Sequence, residues 1–109
     1  MYLMGIDSRT ISDRGKPGQF LHIKIPGDNS LLLRRPISIN NIDRSRGIVY
    51  IVYQVAGEGT RILSLLGGGD ELDILGPLGK GFSIQQGIDN VVLIGGGCGI
   101  APLRYILNY

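Results

Sequence analysis

Hydrophobic and polar residues alternate along most of the first three quarters of the chain, in short runs broken by glycine, proline and asparagine. Gln19-Phe20-Leu21-His22-Ile23-Lys24-Ile25 follows a Pro17-Gly18 turn and alternates as a half-buried strand does. Pro26-Gly27-Asp28-Asn29 turns the chain again, and Leu31 to Ile39 predicts the next strand. Asn40 to Gly47 is polar and charged, the composition of a hairpin-type connection. Ile48 to Val55 is β-branched or aromatic nearly throughout and predicts a further strand. Thr60 suits a helix N-cap, with Ile62, Leu63, Leu65 and Leu66 forming a short helix closed by Gly67. Glu71 to Leu75 returns to alternation, a strand that ends at Gly76-Pro77. Short strands at fairly regular spacing, with one short helix, predict a small all-β antiparallel barrel.

The pattern changes at Asn90. Val91 to Ile94 is continuously apolar, as a buried parallel strand would be. Gly95-Gly96-Gly97-Cys98-Gly99 follows directly, and Pro102 opens a helical pattern through Leu103, Ile106 and Leu107. Strand, glycine turn and helix form the first step of an α/β nucleotide-binding unit. The chain stops at Tyr109, about two turns into that helix, and a lone strand has no sheet to join. The expectation is therefore a fragment. Residues 1–88 would be a barrel domain missing a little chain before the Met1–Gly5 strand tail, and 89–109 the start of a second, truncated domain.

Composition narrows the classes. A chain of 109 residues, 43% hydrophobic and 18% charged, supports one globular domain with a core. A net charge of +2, with no basic cluster interleaved with aromatics, argues against a nucleic-acid partner. The densest apolar runs, Val91 to Ile94 and Leu63 to Leu66, fall far short of the roughly 20 residues of a membrane span. Met1 to Gly5, followed by Asp7 and Arg9, does not read as a signal peptide. No membrane association is expected. Cys98 is the single cysteine, which excludes an internal disulfide and any multi-cysteine metal or iron–sulfur site within this chain. A cytoplasmic protein with no metal site of its own is the expectation.

The candidate chemistry lies in arginine and glycine elements. Arg34-Arg35 interrupts an apolar run and is followed at once by Pro36-Ile37-Ser38. Unpaired guanidinium is costly in sheet interior, so two readings are open: the arginines alternate in and out at an edge with carboxylate partners, or a cation there meets an anion such as phosphate. Gly57-Glu58-Gly59-Thr60 is a phosphate seat at a helix start or a plain N-cap. Gly76-Pro77-Leu78-Gly79-Lys80-Gly81-Phe82 is a rigid turn, either beside a ligand or at an interdomain corner. Gly97-Cys98-Gly99-Ile100-Ala101-Pro102 is like the dinucleotide fingerprint with Pro102 in place of its third glycine. His22 reads as a structural residue or a neighbour of a ligand rather than a catalytic base, Cys98 as a small residue tolerated in its turn rather than a reactive thiol, Asp70, Glu71 and Asp73 as a solvated face, and Tyr105 and Tyr109 as packing residues.

In this order, Arg35-Pro36-Ile37-Ser38, the Gly59-Thr60 helix start, the Gly76–Phe82 turn and the Gly95–Pro102 turn resemble the signature of ferredoxin–NADP reductase-type flavoproteins. Pro17-Gly18-Gln19-Phe20, Leu33 to Ile39 and Leu75 to Gly79 are similar, more narrowly, to the electron-transfer subunits of class B dihydroorotate dehydrogenase, over essentially the whole chain. The resemblance implies an antiparallel barrel that binds FAD, then an NAD domain, then a cysteine-rich tail holding a [2Fe–2S] cluster. Electrons would pass from FMN on a separate catalytic dihydroorotate dehydrogenase subunit, through the cluster and FAD, to NAD, in a heterotetramer serving pyrimidine biosynthesis. Arg35 is implied to contact the FAD pyrophosphate, Pro36, Ile37 and Ser38 to line the flavin, Val52, Tyr53 and Gln54 to line it from the next strand, and Gly59 and Thr60 to hold phosphate. Gly97, Gly99 and Pro102 are the corresponding NAD turn. Ile37 stands where the superfamily usually has tyrosine, so an aliphatic contact replaces ring stacking. No side chain is implied as catalytic, since the cofactor carries the chemistry. The cluster ligands are absent and the NAD site is incomplete, so the chain alone is expected neither to reduce NAD nor to hold iron. Two other readings stay open: a subunit of another ferredoxin–NADP or sulfide-linked reductase of the same superfamily, and, from a different class, a non-catalytic β-barrel remnant.

Overall fold

The computed structural model describes residues 1–27 and 33–109. In chain order these form β1 (Tyr2–Asp7), α1 (Arg9–Arg14), β2 (Phe20–Lys24), β3 (Arg35–Asp43), β4 (Ile48–Tyr53), α2 (Glu58–Ser64), β5 (Asp73–Leu78), a 3₁₀ turn (Gly97–Ile100) and α3 (Leu103–Leu107). The sheet order is β1-β4-β3-β2-β5, with each neighbouring pair antiparallel. The first part of the strand expected over Leu31 to Ile39 falls partly outside the described residues, as does the turn at Asp28-Asn29.

The expected barrel is not formed. Closure requires the last strand to hydrogen-bond the first along its length, but β1 pairs only with β4 and β5 only with β2. The sheet is therefore open. α2 packs Leu63 fully into the core, and a groove of about 600 Å³ runs beside β1, lined by Leu63, Leu66, Gly67 to Gly69 and Leu72. The α/β start expected at Val91 is also absent as a strand. Val91 to Ile94 has no regular structure, and Val91, Val92 and Ile94 are exposed, because no strand among the described residues lies alongside to take their hydrogen bonds.

The period-two pattern puts Leu21, Ile23, Ile37, Ile39, Val49 and Ile51 on the inner face, each 8% exposed or less. The register joins them, with Leu21 opposite Ile37 and Ile39 opposite Ile51. A bulge between Ile39 and Asn41 then lets two successive residues, Ile39 and Asn40, turn inward. β3 runs on to Asp43, four residues past its expected end, because Ile42 and Asp43 pair with Val49 and Ile48.

The alternation pattern gave no sign of α1. Ser8 caps it, its Oγ accepting from the Ile11 amide at 3.3 Å. At the other end the Arg44 guanidinium donates to the carbonyls of Ser12, Asp13 and Gly15, satisfying acceptors that a helix C-terminus leaves open. The Pro17–Phe20 and Gly79–Phe82 segments are joined by the Gln19 side-chain amide donating to Gly79 O (2.8 Å) and the Phe82 amide donating to Pro17 O (2.8 Å).

Candidate functional site

Adjacent residues on a strand point to opposite faces, and this separates the two arginines. Arg34 reaches across β2 to β5, with Nη2 2.9 Å from Asp73 Oδ1 and Nη1 donating to Asp73 O at 3.0 Å. Its role is structural. Arg35 shares the inward parity of Ile37 but lies at the rim of the sheet, donating to Leu33 O at 2.6 Å. Among the described residues no carboxylate lies within ion-pair distance of it.

The Arg35 guanidinium rests on the backbone of α2. A methyl group added to Gly59 would stand 2.8 Å from Arg35 Nε and 3.3 Å from Cζ, with Ile25 Cγ1 at 3.2 Å. Only a residue without Cβ admits the cation there. Thr60 is not the N-cap: the helix begins at Glu58, after Gly57. Thr60 Oγ1 instead accepts from the amides of Ala56 (2.9 Å) and Gly57 (3.2 Å) and donates to Gly57 O, which fixes the loop entering the helix. The fold thus brings Arg35, Gly59 and Thr60 together from two separated stretches of sequence.

Pro36 and Ser38 face away from the core, opposite His22 and Phe20 in the β2–β3 register. The Phe20 and His22 rings lie 5.3 Å apart, tilted by 56°. Ile39 and Ile51 pair on the inner face, so alternation turns Ser38 and Val52 outward together. Gln54 follows β4 and is exposed. The result is a shallow outer surface of apolar and hydroxyl groups, leading at its Arg35 end to a cation. Ile37 and Tyr53 lie beneath it: their side chains are in the core, 8% and 5% exposed. Burial, and then the neighbouring Tyr2 charge, hold the Tyr53 hydroxyl above its ordinary pKa, and the two rings stack at 5.8 Å.

The 97–99 turn comes to the same surface. The Cys98 thiol donates to Gln54 Oε1 at 3.5 Å, while Pro102 leads into α3. The surface is open rather than enclosed. A groove of about 710 Å³ lies instead between the β3–β4 hairpin and α3, and neither it nor the groove beside β1 includes Arg35, Ser38 or Gly59. Phe20 was not singled out from the sequence, whereas His22 was read as a structural residue or a neighbour of a ligand; the alternation of β2 already put the two on one face. Among the described residues no group of three or more potential metal ligands occurs, and no helix is long and apolar enough to cross a membrane.

The solved NADH-dependent reduced ferredoxin-NADP oxidoreductase, a structure concerned with flavin-based electron bifurcation, contains a chain that matches this one with a TM-score of 0.86. The two are 34% identical, and the match covers 97% of this chain and 37% of that one. The fold is that of the ferredoxin–NADP reductase-type flavoprotein class. No family model matches the chain. Among curated proteins, the dihydroorotate dehydrogenase B (NAD(+)) electron transfer subunit of Shouchella clausii is 41% identical over 107 residues, 96% of this chain and 41% of the relative. The subunit of the same name from Enterococcus faecalis is 45% identical over 105 residues, 94% of this chain and 40% of the relative. The chain thus matches dihydroorotate dehydrogenase B electron-transfer subunits over nearly all of its own residues, and spans about two fifths of the length of the curated relatives it matches.

Proposed function

We propose that this chain is the FAD-binding part of an electron-transfer subunit that passes electrons from dihydroorotate oxidation, by way of FMN and a [2Fe–2S] cluster elsewhere in the enzyme, through FAD to NAD. Residues 1–88 form the FAD unit, 89–109 belong to the nicotinamide side, and the partner is an FMN-containing catalytic dihydroorotate dehydrogenase subunit in a heterotetramer. FAD, when bound, supplies the hydride and single-electron chemistry. Arg35 holds the pyrophosphate from its seat on Gly59, where the missing Cβ makes room for the guanidinium. Thr60 keeps the loop in shape for that contact. Pro36, Ser38, Val52 and Gln54 orient the flavin ring, with the Ser38 hydroxyl facing its polar edge. Ile37 and Tyr53 support the strands from the core, and Gly97, Gly99 and Pro102 face the nicotinamide.

The observation that carries this reading is Arg35 on Gly59, with no carboxylate partner among the described residues, beside an Arg34 already paired with Asp73. Flavin-fluorescence titration of the full chain tests it. Arg35→Ala removes a charge-assisted contact of about 1.5–3 kcal/mol, so FAD binding should weaken roughly tenfold to a hundredfold. Lys80→Ala, on an exposed turn, should leave it unchanged; equal and negligible losses from both sink the phosphate assignment. A second reading, a subunit of a ferredoxin–NADP-type reductase, is favoured by the likeness to the solved oxidoreductase. The donor that reduces bound FAD, dihydroorotate dehydrogenase or reduced ferredoxin, separates the two.

A further inference from the structure

Between Phe82 and Gly96 the backbone has no helix or strand, and most side chains there are exposed. The segment beyond is nonetheless held firmly, by side chains reaching across from distant parts of the chain. Asn40, turned inward by the β3 bulge and 4% exposed, donates from Nδ2 to Ala101 O at 2.7 Å. Tyr105, 3% exposed, donates from its hydroxyl to Gly15 O at 2.8 Å. Arg44 spans both of that bond's ends, donating to the Tyr105 hydroxyl (3.1 Å) and to Gly15 O (2.8 Å). These two buried anchors follow the Gly97–Ile100 turn directly and bracket the start of α3.

Asn40 is a costly choice for packing alone. Its Oδ1 is buried without a hydrogen-bond partner among the described residues, a situation that opposes folding. What the side chain adds is a donor aimed at a carbonyl 61 residues away in sequence. That bond, with the Tyr105 hydroxyl, sets where the glycine turn stands above the sheet. At the tip of the turn Cys98 meets Gln54, at the edge of the outer surface that carries Ser38 and Val52.

We propose that Asn40 and Tyr105 are positioning residues that latch the Gly97–Ile100 turn to the cofactor sheet, and so fix the distance between flavin and nicotinamide during electron transfer. This rests on the FAD reading of the outer surface. The latch itself is a property of the chain and is measurable without cofactor.

Cys98 is the single cysteine, so a nitroxide attached to it reports on the turn alone. In the full chain the label should give an immobilised spin-resonance line shape. In Asn40→Ala and Tyr105→Phe its mobility should rise several-fold, while far-ultraviolet circular dichroism and FAD affinity stay as in the parent. Line shapes that coincide with the parent overturn the latch. A general loosening, with dichroism and FAD affinity changing alongside the label, overturns it as well. If Asn40→Ala fails to fold, Tyr105→Phe, which removes one oxygen, decides the matter by itself. A parent chain that holds its label rigid yet binds no FAD overturns the cofactor reading and the electron-transfer role, with the mechanical latch standing.

Discussion

Replacing Gly59 by alanine should separate cofactor binding from stability. The residue has ordinary helical backbone within α2, and alanine is favoured over glycine in a helix by up to about 1 kcal/mol. Against this, the new methyl would stand 2.8 Å from Arg35 Nε and 3.2 Å from Ile25 Cγ1. Both are movable side-chain atoms, so the fold yields by swinging the guanidinium away, and the two effects on stability roughly cancel. Binding has no such compensation. A displaced Arg35 forfeits a charge-assisted contact of about 1.5–3 kcal/mol, which is a tenfold to hundredfold loss of FAD affinity. Gly57→Ala is the matched control, since a methyl there meets nothing within 4 Å. As an N-cap change it should lower stability slightly and leave FAD binding alone. Flavin-fluorescence titration and thermal melts of both variants give the comparison. Unchanged FAD affinity in Gly59→Ala, or an equal loss in Gly57→Ala, would refute the account of Gly59 as the seat of the cation.

Two further outcomes follow from the fold. Gly81 has φ +79° and its added methyl would lie 2.7 Å from Pro17 O, a backbone atom, so Gly81→Ala should cost about 1–3 kcal/mol; an unchanged urea midpoint would show that the junction tolerates a side chain. Burial, outweighing the opposing Arg44 charge, holds the Tyr105 hydroxyl above the ordinary tyrosine value of 10.0. The folded form then keeps a proton that the unfolded chain releases. The stability this contributes is complete below pH 10.0 and is lost as pH rises from there through the folded value. Tyr105→Phe should therefore flatten the alkaline fall in stability measured by denaturant titration, and identical slopes would contradict the assignment.

The strands that were legible in the sequence are those whose alternation is bounded by turn residues. β2 after Pro17-Gly18 and β4 after Gly47 are the clearest, and β5 was found two residues late. α1 was hidden because Ile11 is its one buried large apolar residue, which leaves no periodic stripe; the Ser8 cap was its only local signal. Val91 to Ile94 misled in the opposite sense: an apolar run states what a strand would bury, while a strand also needs neighbours to take its hydrogen bonds. Sheet closure depends on pairing between β1 and β5, far apart in sequence, and periodicity carries no such information. In the site, Arg35, Ser38 and Gly59 were named from residue type and the family resemblance, and the cofactor roles proposed for them rest on those grounds. The inward turn of Asn40 was not legible, because it arises from a bulge in the β3–β4 register.

The arginine pair shows how much a single step along a strand decides. Because Arg34 and Arg35 leave opposite faces, one partner cannot serve both, and the carboxylate pairing holds for Arg34 alone. Arg34 finds a carboxylate and two strand carbonyls spanning β2 and β5, and so contributes to sheet cohesion. Arg35 arrives at the rim of the apolar core, between Ile25 and Gly59, where its hydrogen-bond acceptor among the described residues is the Leu33 carbonyl. Partial removal from water raises the cost of leaving a cation without an anion, and by the same reduction in screening it strengthens the attraction to a phosphate that docks there. The glycine at 59 makes the seat possible, because without a Cβ it gives the guanidinium room against the helix. Exchanging the positions of the two arginines would require shifting β3 by one residue, which would also expel Ile37 and Ile39 from the core; the hydrophobic register that stabilises the sheet is thus what sets Arg35 on Gly59 and Arg34 on Asp73.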